Sequence, residues 1–122
     1  MAKITGLGGV FYVVADPEAT RTWYREKLGI DGEYGPQLNW SEEAGELPYS
    51  LISHFKNDDY IKPGTGGFMI NLRVDDLDGF IELLKSRDIE VLDSVDEGYG
   101  KCAWVLDPNG VKIELWQQIE AP

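Results

Sequence analysis

The chain repeats itself. Gly9-Val10-Phe11-Tyr12-Val13-Val14-Ala15-Asp16, followed by a helical run to Gly29, parallels Met69-Ile70-Asn71-Leu72-Arg73-Val74-Asp75-Asp76 with its own helical run to Ile89. Val14 and Val74, like Asp16 and Asp76, stand 60 residues apart in a chain of 122. Self-similarity at half the length means that two similar halves fill the chain, and any fold assigned to it must be built twice from one supersecondary unit.

Within each half the local signals agree. Asp16 is suited to cap a helix, Pro17 to its first position, and Gly29 to a left-handed stop, which predicts a helix from about Pro17 to Leu28. Its apolar stripe is Ala19, Trp23 and the Tyr24/Leu28 pair, with Arg21, Arg25, Glu26 and Lys27 left for solvent. In the second half Asp75 or Asp76 caps a helix whose stripe is Leu77, Phe80, Ile81 and Leu84. Strand signals cover Gln37 to Ser41, Tyr49 to Phe55, Glu90 to Asp93, Lys101 to Leu106 and Val111 to Gln117. Asp107-Pro108-Asn109-Gly110 is a turn that pairs the last two strands as a hairpin. Pro63 with Gly64-Thr65-Gly66-Gly67 reads as the linker between halves; a strand pattern, and no helix, follows these glycines, so they are not a phosphate loop. Each half therefore reads strand, helix, then about three strands, an α+β chain of two βαβββ modules in tandem, about 1–62 and about 67–122 of a single domain.

Charge and composition narrow the partners. Eleven Lys and Arg against 22 Asp and Glu give a net charge of −11, which repels a phosphate backbone or an anionic membrane. The longest early apolar run, Val10 to Ala15, cannot span a bilayer, and Met1 to Gly6 lacks the apolar core of a signal peptide. With a single cysteine, Cys102, there is no internal disulfide, and a soluble cytoplasmic protein without nucleic-acid or membrane partners is expected.

The ordered set of segments resembles the vicinal oxygen chelate superfamily, which includes glyoxalase I, the bleomycin resistance proteins and the extradiol dioxygenases. Its carriers are Gly8-Gly9-Val10-Phe11 before Asp16-Pro17-Glu18-Ala19, Trp23 to Gly29, Asn71 to Asp78, and Trp104 through Asp107-Pro108-Asn109-Gly110 to Trp116. Metal enzymes of that superfamily place a ligand on the first strand of each half and a glutamate on the last strand. By position those sites fall here on Gly9, Met69 and Glu114, with a fourth within Ile52-Ser53-His54-Phe55. Glycine and methionine are poor ligands for hard or borderline cations, so no metal cofactor is expected. A divalent ion held by Glu114 and His54, or an oxygen-rich Mg or Mn site, stays open as the alternative. One histidine in the whole chain supplies neither a two-His-one-carboxylate iron site nor a three-His zinc site, which removes oxygenase chemistry. The resemblance also implies curved mixed sheets that enclose a cleft, and a homodimer.

Strand alternation selects the side chains that share a face. If Ile70, Leu72 and Val74 pack beneath the second helix, then Met69, Asn71 and Arg73 point the other way, and the repeat adds Gly9, Phe11 and Val13. On the last strand Lys112, Glu114 and Trp116 oppose Ile113 and Leu115. Phe11, Met69 and Trp116 then form an apolar wall carrying Asn71, Arg73, Lys112 and Glu114, the pattern of a small-molecule site. Glu114 is the candidate base, against the plainer role of ion-pair partner to Arg73 or Lys112. Arg73 is a candidate clamp for a carboxylate ligand. Tyr99, in Glu97-Gly98-Tyr99-Gly100, is a candidate lid residue, Trp104 a candidate wall, and His54 a base or a hydrogen-bonded structural residue. Cys102, in a strand between Lys101 and Ala103 with no base nearby in sequence, reads as an inert core thiol.

Three functions from different classes fit these residues. The first is metal-independent capture of a small molecule, as in bleomycin resistance proteins. The second is a glyoxalase-like lyase or isomerase with Glu114 as base. The third is a non-catalytic interaction subunit.

Overall fold

The computed structural model describes residues 1–28, 31–39, 49–107 and 110–120, and the side chains of Lys27 and Leu28 lie outside that description. The element order is β1 (Ile4–Val13), α1 (Pro17–Trp23) continuing as a π-helical stretch over Tyr24–Leu28, β2 (Gln37–Asn39), β3 (Tyr49–Phe55), β4 (Phe68–Val74), α2 (Leu77–Ser86), β5 (Asp93–Asp96), β6 (Gly100–Leu106) and β7 (Lys112–Gln118). The predicted stop at Gly29, the residues Trp40 and Ser41, and Pro108-Asn109 of the predicted turn lie outside the described residues.

One seven-stranded mixed sheet runs in the order β2-β3-β1-β4-β7-β6-β5. The two halves meet along the antiparallel pair β1·β4 at its centre. From there each half runs outward in the same way: β1 pairs parallel with β3 and β4 parallel with β7, and β3 and β7 then pair antiparallel with β2 and β6. Among the described residues the first half contributes three strands and the second half four. The sheet is open but curled, since Tyr34 before β2 and Tyr99 before β6 line one cavity from opposite edges.

Both predicted caps form. The Asp16 carboxylate accepts from the Ala19 N–H at 3.0 Å and that of Asp76 from the Gly79 N–H at 3.1 Å, satisfying amides that have no partner within the helix. Asp75, the other candidate, accepts from the Lys3 N–H instead. Helix α2 buries Leu77, Phe80 and Leu84 against Val74, Ala103, Val105 and Leu115. Each such side chain contributes roughly 1.5–3 kcal/mol relative to solvent exposure. The β6–β7 hairpin closes with the Gly110 N–H donating to the Asp107 carbonyl and Gly110 at φ +80°, a conformation that glycine adopts without penalty.

Two expectations need correction. The stripe assigned to α1 is not a buried face: no residue of the helix is buried, and Trp23 is 49% exposed. Of the described stripe residues, Tyr24 meets the sheet through its hydroxyl, 3.1 Å from that of Tyr12. The strand expected at Glu90 to Asp93 begins only at Asp93. The helix ending is carried through Ile89, whose N–H donates to the Leu84 carbonyl, with Asp88 in the left-handed region at φ 60°. The chain then reaches β6 at Leu92, whose N–H donates to Trp104 O at 2.8 Å. All four residues of β5 are exposed, so alternation offered nothing to read there. Among the described residues no helix is long and apolar enough to cross a membrane.

Candidate functional site

The concave face of the sheet holds a cavity of about 410 Å³. Pairing decides which residues reach it. Asn71 lies opposite Glu114 on the parallel pair β4·β7, and Phe11 lies opposite Ser53 on the equivalent pair β1·β3. All four line the cavity, as do Cys102, Trp104 and Trp116 from the second half and Leu51 and Phe55 from the first. A register shift in β1 between Leu7 and Gly9 admits Gly8 to the same face.

Glu114 sits at the floor, 5% exposed. Three neutral groups donate to its carboxylate: the Tyr60 hydroxyl and the Trp104 indole N–H, at 3.0 Å, to Oε1, and the Asn71 amide, at 2.5 Å, to Oε2. Among the described residues it makes no ion pair. Burial and the negative charge of Glu114 raise the Tyr60 hydroxyl far above the ordinary phenol range, which keeps it a donor. The same two causes push the Cys102 thiol up to about 12, so this cavity-lining sulfur is not a nucleophile at neutral pH.

Asn71, also 5% exposed, gives its amide nitrogen to a carboxylate that can only accept, so its Oδ1 points the other way. That oxygen is buried with no hydrogen-bond partner among the described residues. It rests where a Cβ of Gly8 would be; any side chain at position 8 would overlap it.

The cations expected on this face stand behind the cavity wall. Lys112 places its ammonium 5.1 Å from the Tyr60 ring centre and 5.4 Å from that of Trp104, and donates to the backbone carbonyls of Tyr60 and Lys62. Burial lowers its pKa, with the charge of Glu114 opposing. Arg73 lies over the Tyr49 ring at 5.3 Å and donates to Gln118 Oε1 and Tyr49 O. Neither lines the cavity. Met69 is wholly buried beside Phe11 and Ile61 and is core, not wall. Tyr99, 47% exposed, stands at the rim with its ring 6.1 Å from Trp116.

His54 corrects the remaining expectation. Glu114 is matched across the two halves by Ser53, one residue earlier, so His54 faces the helix side of the sheet. There its Nε2 meets the Tyr12 hydroxyl at 2.8 Å, its ring packs on Tyr12 and Tyr24, and burial lowers its pKa. It is not a cavity residue and cannot share a metal with Glu114. The ligand positions that the resemblance implies are Gly9, Met69 and Glu114, and of the stretch offered for the fourth, Ile52 to Phe55, strand pairing matches Ser53 to Glu114. That set does not fit a divalent cation: one carboxylate, a hydroxyl committed to the Tyr34 carbonyl, a core thioether and no side chain at all. Among the described residues no other cluster of three or more His, Cys, Asp or Glu could hold one.

Sequence reasoning missed Tyr60, which lies in the connection before β4 with neither periodicity nor motif to mark it. It also missed Leu51, Ser53 and Phe55, although the alternation of Tyr49 to Phe55 placed these on one face.

A duplicated β-α-β unit whose halves share one curled sheet and a cleft defines the class. The family model of the Glyoxalase/Bleomycin resistance protein/Dioxygenase superfamily matches residues 6–115, and the chain belongs to that superfamily. No curated protein matches the chain. Solved structures share the fold at low identity. Streptomyces coelicolor methylmalonyl-CoA epimerase in complex with 2-nitronate-propionyl-CoA is 15% identical with a TM-score of 0.72, the match covering 98% of each chain. Methylmalonyl-CoA epimerase from Mycobacterium tuberculosis is 20% identical with a TM-score of 0.61, over 98% of this chain and 90% of that one. A catechol 2,3-dioxygenase is 20% identical with a TM-score of 0.65, over 99% of this chain but 41% of its own.

Proposed function

We propose that the protein captures a small organic molecule in the cavity above Glu114, without using a transition metal. The observation that carries this reading is a buried carboxylate held by three neutral donors at the floor of an aromatic-walled cavity of about 410 Å³. Small-molecule sites combine an apolar concavity with a few fixed polar groups in this way. On the same fold, the Streptomyces coelicolor epimerase holds an organic ligand, 2-nitronate-propionyl-CoA. With both oxygens of Glu114 already accepting, recognition is better supported than proton abstraction from a substrate carbon. The protein is further proposed to work in the cytoplasm as a homodimer. Support for the dimer comes from sheet edges and apolar surface that need cover, including Leu7, Val10 and Trp23.

The test is a melting-temperature screen against a panel of small organic molecules and divalent metals. Expected hits raise the midpoint of the unaltered protein and lose that effect in Trp116→Ala, whereas Zn, Ni and Fe leave it unchanged. One equivalent of tightly held metal with Glu114 in its shell would overturn the reading. Sedimentation at micromolar concentration is expected to show a dimer, and a 13.7 kDa species would refute that part.

A further inference from the structure

We infer that the cavity selects an organic cation: a protonated amine or amidine with at least one N–H and a compact apolar body. This rests on the reading of the cavity as a small-molecule site and names the chemical class that would enter it. The charge at its floor is that of a carboxylate, Glu114. Glu114 brings a buried carboxylate that makes no ion pair among the described residues, its charge met by three neutral donors and, from behind the Tyr60 and Trp104 rings, by Lys112. The lining includes two carboxylates, Glu114 and Glu97, and no Lys or Arg. Lys112 and Arg73 keep their donors on the far side of the Tyr60, Trp104 and Tyr49 rings, turned to backbone carbonyls and Gln118.

A neutral ligand with a hydroxyl could satisfy one acceptor, but leaves the buried charge as it was. An anion would meet Glu114 with no donor of its own to offer. A cation meets that charge: its N–H groups donate to Glu114, while its apolar body lies against Phe11, Phe55 and Trp116. Aromatic rings also attract cations through the negative faces of their π systems, most strongly where water is excluded. The net charge of −11 concentrates cations near the protein before they dock.

Three probes of nearly equal shape separate the cases: benzylamine, protonated at pH 7, benzyl alcohol and benzoate. Binding to the full chain is followed through the indole N–H resonance of Trp104, which is bonded to Glu114. Benzylamine is expected to bind at least tenfold tighter than benzyl alcohol, with benzoate weakest. Glu114→Gln is expected to cut benzylamine affinity at least tenfold and to change that for benzyl alcohol less than twofold. If benzyl alcohol or benzoate binds as tightly as benzylamine, the cavity stands as a small-molecule site and selection for cations is wrong. If none of the three moves the Trp104 resonance, the cavity reading falls and this inference with it. The charge series on the unaltered protein decides the matter even where the variant fails to fold.

Discussion

The two halves carry the same capped helix over the same strand order, yet they pack in opposite ways. Beneath α2 lies an aliphatic layer, with Leu77 and Leu84 set on Val74, Ala103 and Leu115. Beneath α1 and its π-helical continuation lies a polar aromatic trio, Tyr12, Tyr24 and His54, joined by hydroxyl and imidazole contacts of 3.1 and 2.8 Å. No residue of α1 is buried. Duplication thus preserves backbone topology without preserving the chemistry of the layer, because caps and strand pairing need few residues whereas a dry core needs many that fit together. Stability should be concentrated in the second half.

The largest expected effect tests that division directly. Leu77→Ala, at a nearly wholly buried site, is expected to cost about 2–5 kcal/mol in chemical denaturation. Trp23→Ala, at a half-exposed site, is expected to cost less than about 1 kcal/mol. Equal costs would break the comparison.

Next in size is Glu114→Gln. The new amide can present its oxygen to Tyr60 and Trp104, and its nitrogen to Asn71 once the Asn71 amide flips to offer Oδ1, but the flip leaves the Asn71 NH2 in the buried place where Oδ1 has no partner now. A loss of about 1–3 kcal/mol is expected. A loss of about 3–5 kcal/mol would show that Glu114 balances a buried cation after all.

The smallest effect concerns His54. Burial lowers its folded pKa, so the folded state holds the neutral ring more firmly than the unfolded chain does. Stability from this source is complete above the unfolded value of about 6.5 and declines as pH falls from there toward the folded pKa. The urea midpoint of the unaltered protein should therefore drop between about pH 7 and 5 more than that of His54→Phe. Identical profiles would mean that the trio is not sensitive to protonation.

Much of this was legible in the chain. Asp16 and Asp76 announced the helices, and alternation put Asn71, Glu114 and Trp116 on one face, where the pairing of β4 with β7 sets Asn71 beside Glu114. Alternation gives parity within a strand but not the register between strands. That is why Ser53 and His54 could not be told apart until β1 was seen to pair with β3. Periodicity likewise marks a stripe without saying what lies beneath it, so Trp23 looked like core. Tyr60 was invisible because its role comes from where a loop ends up.

The close approach of β1 and β3 at Gly9 bears on how such a protein could change its chemistry over time. A Cβ at position 9 would run into the Leu51 backbone, so histidine cannot be introduced there until the strands have moved apart. Met69→His alone would set a nitrogen in the core beside Phe11 and Ile61, and even together with the Glu114 carboxylate would fall short of the three protein ligands a catalytic zinc holds. Any path from this chain to a metalloenzyme therefore crosses sequences that are neither well packed nor metal-binding. A single substitution does not bridge that gap.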